Sequence, residues 1–226
     1  MIKFENITKI YLSDTVALDC VSFQVKPKEF VSIVGKSGAG KTTLLKLLMA
    51  EEKPTEGKVF FDGTDVNSLK NNEVSFLRRK IGSVFQDYKL LPSKTTYENV
   101  AYALEVIGLP EEEISKEVLQ VLEIVGLSDK VNNFPAQLSG GERQRAAIAR
   151  ALVHRPEVIL ADEPTGNLDP YHTSDIINLL LRINEMGTTV VLATHDKETI
   201  NNLKKRVITL EKGKVIRDEE EGRFIL

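Results

Sequence analysis

The chain holds one cysteine, Cys20, so no internal disulfide can form, which fits a reducing compartment. Neither charge dominates: 30 Lys and Arg stand against 33 Asp and Glu, for a net charge of −3. The basic surplus of a nucleic-acid binder is missing, and no nucleic-acid partner is expected. No apolar run approaches the roughly 18 residues needed to cross a bilayer. The opening MIKFENITKIY lacks the apolar centre of a signal peptide. A soluble protein is expected, with any place at a membrane coming through a partner. Internal repeats and low-complexity stretches are also absent. What remains is a globular composition, 42% hydrophobic and 28% charged over 226 residues, suited to one α/β domain with a small subdomain.

Residues 1–26 read as strands, with Val21, Phe23 and Val25 alternating onto one face. FVSIVG (30–35), GKVFFDG (57–63), IGSVFQ (81–86), EVILADE (157–163) and TTVVLATHD (188–196) are short apolar strands separated by helical patterns. That rhythm predicts a mostly parallel sheet covered on both faces. From about 87 to 156 the pattern is helical only. Thr95 and Glu98 have capping-box spacing ahead of a stripe of Val100, Leu104 and Ile107. A second amphipathic run carries Ile114, Val118, Val121, Leu122 and Val125 and closes at Gly126. A helical subdomain inserted into the sheet is expected there. RVITLEKGKVI near the end predicts a hairpin around Lys212 and Gly213.

Gly35, Lys36, Ser37, Gly38, Ala39, Gly40, Lys41 and Thr42 spell GKSGAGKT, a phosphate-binding loop in its required context between a strand and a helix. The glycines let backbone N–H groups curl around a phosphate, Lys41 neutralises its oxygens, and the Thr42 hydroxyl is a ligand for Mg²⁺. VILADE adds Asp162 and Glu163 at the carboxyl end of a buried strand, where ligands sit in open α/β sheets. Asp162 is a candidate for Mg²⁺ and Glu163 for polarising the attacking water; capping the next helix is their structural alternative. Gln86 and His195 also end strands; Gln86 is equally readable as an ordinary polar strand end, and a lone strand-end histidine is more often a plain surface or core residue. Tyr11 is either a base-stacking ring or a core residue.

A second helix start poses a different question. In LSGGERQRAAIARAL (138–152), Ser139 and Glu142 form a capping box, and Gly140 and Gly141 follow the cap. Each glycine costs roughly 1 kcal/mol against alanine in a helix. Two residues without Cβ expose bare N–H groups where the helix dipole favours an anion. A glycine-softened cap is the plain alternative; on the anion reading the chain holds two phosphate-type helix starts about a hundred residues apart.

Taken together and in order, GKSGAGKT, Gln86, LSGGERQ (138–144), VILADEP (158–164), NLD (167–169) and His195 resemble the ATP-binding cassette (ABC) ATPases. The resemblance covers nearly the whole chain. It implies a P-loop NTPase fold with a RecA-like core, an N-terminal antiparallel β subdomain and the inserted helical subdomain at about 87–156. It implies ATP and Mg²⁺ as cofactors and ATP hydrolysis as the reaction. Tyr11 would stack on adenine, residues 35–42 and Thr43 would hold the phosphates, and Gln86, with Thr42 and Asp162, would serve the metal. Lys41, Gln86, Glu163 and His195 would carry the catalysis. Ser139, Gly140, Gly141 and Glu142 would bind the nucleotide of a partner cassette, and Asp169 would run along that interface. An ATP-state homodimer follows. FQDYKLLPSKTTYENVAYALEVIG (85–108) is similar to the cell-division branch of the family. This implies an integral membrane subunit resembling FtsX, other division proteins as further partners, a place on the cytoplasmic face of the cell membrane, and control of cell-wall hydrolysis. The nearest alternative is the ATPase of a lipoprotein-release or MacB-type exporter. One departure is Lys28, where the family pattern has glycine in the turn KPKEF.

Overall fold

Alternating apolar side chains build the first sheet of the computed structural model, which describes residues 1–12 and 14–224. β1 (Ile2–Tyr11) pairs antiparallel with β2 (Thr15–Val25) on one side and with β4 (Glu56–Phe61) on the other, and β5 (Thr64–Asp65) ends the order β2-β1-β4-β5. Val21, Phe23 and Val25 all face inward, and the Phe23 ring stacks on Phe4 at 4.7 Å between centroids. The chain divides into two units, Met1–Arg78 with Asn184–Leu226, and Arg79–Ile183.

The first unit also holds β3 (Phe30–Val34), flanked by β8 (Thr189–Thr194) and β9 (Arg206–Glu211), both parallel to it. β10 (Lys214–Glu219) runs antiparallel along β9. Every residue of β3 and β8 is buried, as expected for strands with both faces covered. α1 (Lys41–Leu48) leaves the end of β3 and packs against β8 and β4. Asp196 caps α7 (Lys197–Leu203) by accepting from the Glu198 and Thr199 N–H groups. The β9–β10 turn uses left-handed Lys212 and Gly213, the twist that a tight hairpin requires. The turn at Lys28 keeps its left-handed shape without glycine, at φ 62°. That conformation costs a side-chain-bearing residue roughly 1–2 kcal/mol. Two hydrogen bonds secure it: the Lys28 N–H donates to Thr189 Oγ1 (2.9 Å), and its carbonyl accepts from Asn184 Nδ2 (3.0 Å).

In the second unit β6 (Ile81–Phe85) and β7 (Val158–Asp162) run parallel, with Phe85 opposite Asp162. Between them come α3 (Thr96–Ile107), α4 (Glu111–Ile124) and α5 (Gly140–Leu152), whose apolar stripes pack together. Val100, Leu104, Val118 and Leu122 are fully or almost fully buried. Each such side chain contributes about 1.5–3 kcal/mol relative to exposure. Ile107 is only half-buried. α2 (Asn71–Arg79) and α6 (Pro170–Glu185) lie at the two sequence boundaries between the units. Buried Asn99 on α3 shapes the loop before it: Oδ1 accepts from the Leu91 N–H, and Nδ2 donates to the carbonyls of Leu91, Lys94 and Thr95.

α3 and α5 start identically. Thr95 accepts from the Glu98 N–H while Glu98 accepts from the Thr95 N–H, and Ser139 and Glu142 repeat the exchange. The backbone N–H groups of Thr95 and Ser139 hold both glutamate carboxyls below the usual carboxylate range. A depressed carboxyl stabilises the fold above its unfolded value and loses that contribution as pH falls through its folded value. Glutamine closes the same box without titrating. The Glu98→Gln/Glu142→Gln chain is therefore expected to be less stable than the parent at pH 6, with the gap closing as pH drops below about 4. Denaturant midpoints across pH 3–6 check this, and parallel curves would contradict it.

Candidate nucleotide site

The register of the parallel strands gathers the first set of residues. Val34 of β3 stands opposite Thr194 of β8, so Gly35 and His195 follow adjacent strand ends. The phosphate loop begins at Gly35 and turns into α1 at Lys41. Gly40 occupies the cap position at φ 106°, and a Cβ there would stand 2.6 Å from the Ala17 carbonyl oxygen, so only glycine fits. No side chain caps α1. The uncapped start of a helix beside a glycine turn favours negative charge. Lys41 is buried along its stem, and its ammonium donates to the carbonyls of Gly35 (2.8 Å) and Lys36 (3.3 Å). Lys36, Ser37, Gly38 and Thr42 are exposed along the loop, whereas Ala39 and Thr43 are buried. The Tyr11 hydroxyl lies 3.4 Å from Thr43 Oγ1, with the Lys9 ammonium 5.0 Å from the ring centre. Tyr11 thus stands beside the start of α1. His195 is exposed between β8 and the Asp196 cap of α7.

The second set lies in the other unit. β7 is fully buried from Val158 to Ala161 and opens only at Asp162 and Glu163, both half-buried. Glu163 takes a left-handed backbone at φ 49°, a conformation that costs a residue of its kind about 1–3 kcal/mol and clusters at functional positions. Gln86 follows the end of β6 alongside. Its backbone carbonyl accepts from Asn167 Nδ2 (3.0 Å), and its Nε2 donates to Asn167 Oδ1 (3.4 Å). The NLD turn is thereby tied to the glutamine.

The start of α5 lies against the same turn. A Cβ on Gly140 would meet Leu168 Cδ2 at 3.2 Å and the Tyr88 hydroxyl at 3.4 Å. A Cβ on Gly141 would stand 2.3 Å from His172 Cδ2. Close approach inside the chain is therefore a second reason for these glycines, beside the bare N–H groups they leave. Tyr88, on the loop after β6, is tied to α5 as well. The Arg143 guanidinium lies 5.4 Å from its ring centre, and Arg150 donates to the carbonyls of Tyr88 (2.9 Å) and Lys89 (2.5 Å). Asp169 accepts from the N–H groups of Tyr171 and His172 and from His172 Nδ1. The His172 N–H, then its ring, hold the Asp169 carboxyl below the usual range.

Three residues in this network have weak sequence signals. Asn167 sits inside the NLD pattern but shows no sign of its bond to a glutamine 81 positions away. Arg150 follows Arg143 by two helical turns on the same face, a spacing that marks a paired face without its target. His172 stands three residues after a helix-starting aspartate, a common solvent pairing.

Among comparisons with known proteins, residues 18–166 match the family model described as ABC transporter. The cell division ATP-binding protein FtsE of Bacillus subtilis (strain 168) is 51% identical over 224 residues, covering 99% of this chain and 98% of that protein. FtsE of Escherichia coli (strain K12) is 49% identical over 213 residues, covering 94% of this chain and 96% of that protein. Among solved structures, the dimeric post-hydrolysis state of the ATP-binding cassette MJ0796, bound to ADP and Pi, superposes with a TM-score of 0.89 at 42% identity, covering 99% of this chain and all of that one. With the phosphate loop, the signature helix and the strand-end carboxylates each formed as described, these matches make the chain a member of the ABC transporter family, in its branch of FtsE cell-division ATP-binding proteins.

Proposed function

We propose that the chain is an ATP-hydrolysing cassette that closes as a homodimer on ATP and thereby changes the shape of an integral membrane subunit resembling FtsX, regulating cell-wall hydrolysis during division. The observation that carries the reading is the pair of phosphate-type helix starts in one chain, α1 behind a glycine turn and α5 behind Ser139. One nucleotide needs only the first. The second is free for the nucleotide of another copy, and the MJ0796 cassette is dimeric with ADP and Pi bound.

In this reading Lys41 and residues 35–43 hold the phosphates, Tyr11 stacks on adenine, and Ser139 to Glu142 cover the partner's γ-phosphate. Asp169 lines the dimer contact. The donors offered to Mg²⁺ are the Thr42 hydroxyl, the Asp162 carboxylate and the Gln86 amide oxygen. One carboxylate with neutral oxygens is a set the ion accepts beside phosphate and water. When bound, the ion neutralises charge on the phosphate oxygens. Glu163 accepts the proton of the attacking water, and His195 orients the γ-phosphate side. Among the described residues no helix is long and apolar enough to cross a membrane. A place on the cytoplasmic face would come through the membrane subunit. The helical segment 87–156 is the part we assign to receiving it, at Leu91, which is 37% exposed on the loop that Asn99 braces. Tyr88, engaged with α5, is a weaker candidate for that contact.

Two outcomes test the reading. Glu163→Gln keeps Lys41 and Thr42 and is expected to bind ATP normally, lose about 10²-fold or more in turnover, and accumulate as an ATP dimer in size-exclusion chromatography. Parental hydrolysis rates would remove Glu163 as the base. Leu91→Asp is expected to release the co-purifying membrane subunit with nucleotide affinity unchanged. Loss of both together would mark Leu91 as a packing residue.

A further inference from the structure

We propose that His172 is a positioning residue that locks the Asp169 turn onto the signature glycine Gly141, so that the two dimer-facing elements move as one piece. The inference rests on the reading above, in which Ser139 to Gly141 and Asp169 serve a partner copy.

The geometry closes a circuit within one unit of the fold. Both Asp169 oxygens are engaged: Oδ1 accepts from the N–H groups of Tyr171 (2.9 Å) and His172 (3.0 Å), and Oδ2 meets His172 Nδ1 at 2.5 Å. With Nδ1 engaged, the opposite edge of the ring is turned to α5. It fills the space that a Cβ on residue 141 would take, with Cδ2 at 2.3 Å and Cγ at 3.0 Å from that point. Two residues before Asp169, Asn167 is bonded to both the backbone and the side chain of Gln86. A continuous line of contacts therefore joins Gln86 to the signature turn, and His172 is its last link.

Stability alone does not account for this arrangement. The His172 and Asp169 side chains are 39% and 53% exposed, and water screens an ion pair this open, so it adds little to stability. What the contact supplies is orientation. The imidazole is anchored at one edge by a carboxylate and seated at the other on bare backbone, which removes the rotamer freedom of both side chains. A displacement of the NLD turn then reaches the helix start that would face the partner's phosphate. Gly141 thus has two tasks, leaving its own N–H bare and accepting the ring.

The test uses the full chain. His172→Phe keeps a ring over Gly141 but has no Nδ1 donor, whereas His172→Asn offers an amide donor close to the Nδ1 position. ATP hydrolysis, nucleotide affinity and thermal melting are measured for each. ATP-driven dimerisation is measured in the Glu163→Gln background. The expected result for His172→Phe is a fall in kcat of tenfold or more with KM within twofold. Its melting temperature should hold and its dimer affinity should drop in parallel with kcat. His172→Asn should recover at least a third of the lost activity. A Phe variant that hydrolyses and dimerises like the parent overturns the proposal. So does a uniform loss of melting temperature, nucleotide affinity and activity in both variants, which means that the ring only fills space. If the Glu163→Gln chain does not dimerise on ATP, the dimer reading falls by itself, and the split between kcat and KM still decides whether His172 positions the turn.

Discussion

A parallel strand covered on both faces can present side chains only where it ends, and this constraint arranges the candidate site. β7 gives four positions to the core and opens at Asp162 and Glu163. β6 ends level with it and delivers Gln86, while β3 and β8 end level with each other and deliver Gly35 and His195. None of these residues needs to be aimed by a long loop. The register of the strands brings each pair to a common edge, and a shift of one residue would turn every side chain to the opposite face.

What strand ends cannot supply is a connection to a helix that lies far away in sequence. In the second unit that connection is polar and specific. Tyr88 and Lys89 are consecutive left-handed residues without being glycine, at φ 58° and 47°. Their two carbonyls are both taken by Arg150, whose burial pushes its guanidinium below the usual value. Arginine stays charged even so, and a charged donor makes stronger hydrogen bonds than a neutral one. The loop after Gln86 is thus bent into a conformation it would not adopt alone and fastened to the signature helix. His172 packs on the other side of the same helix start, and Asn167 ties the turn before it to Gln86. Strain held by specific bonds is a natural place for a movable element.

Much of this was legible in the sequence because it is local. Strand periodicity, capping boxes at Thr95 and Ser139, the loop from Gly35 to Thr42 and the Lys212–Gly213 hairpin each follow from residues a few positions apart. The five short strand segments from 30–35 to 188–196 agree with the structure within one or two residues at each end. The contacts that were not legible join residues far apart: Asn167 with Gln86, Arg150 with Tyr88, and His172 with Gly141. Each partner has an unremarkable explanation alone, as a polar loop residue, a surface arginine or a histidine near a helix start. The double glycine after Ser139 shows the limit well. Its spacing pointed outward, to an anion, and the structure adds an inward cause in the packing of Leu168 and His172. Lys28 shows the reverse case, in which a residue other than glycine holds a left-handed turn because Thr189 and Asn184 secure it.

The central claim is that the start of α5 serves a nucleotide held by another copy. Mixing two inactive chains measures it directly. Lys41→Ala disables the phosphate loop. Ser139→Asp retains a good helix cap while adding a carboxylate where a phosphate would approach. In a mixed dimer one composite site is intact, so an equimolar mixture should recover up to about a quarter of parental ATP hydrolysis while each chain alone stays near zero. A mixture as inactive as its components, with both chains folded and Ser139→Asp still binding ATP, would contradict the account.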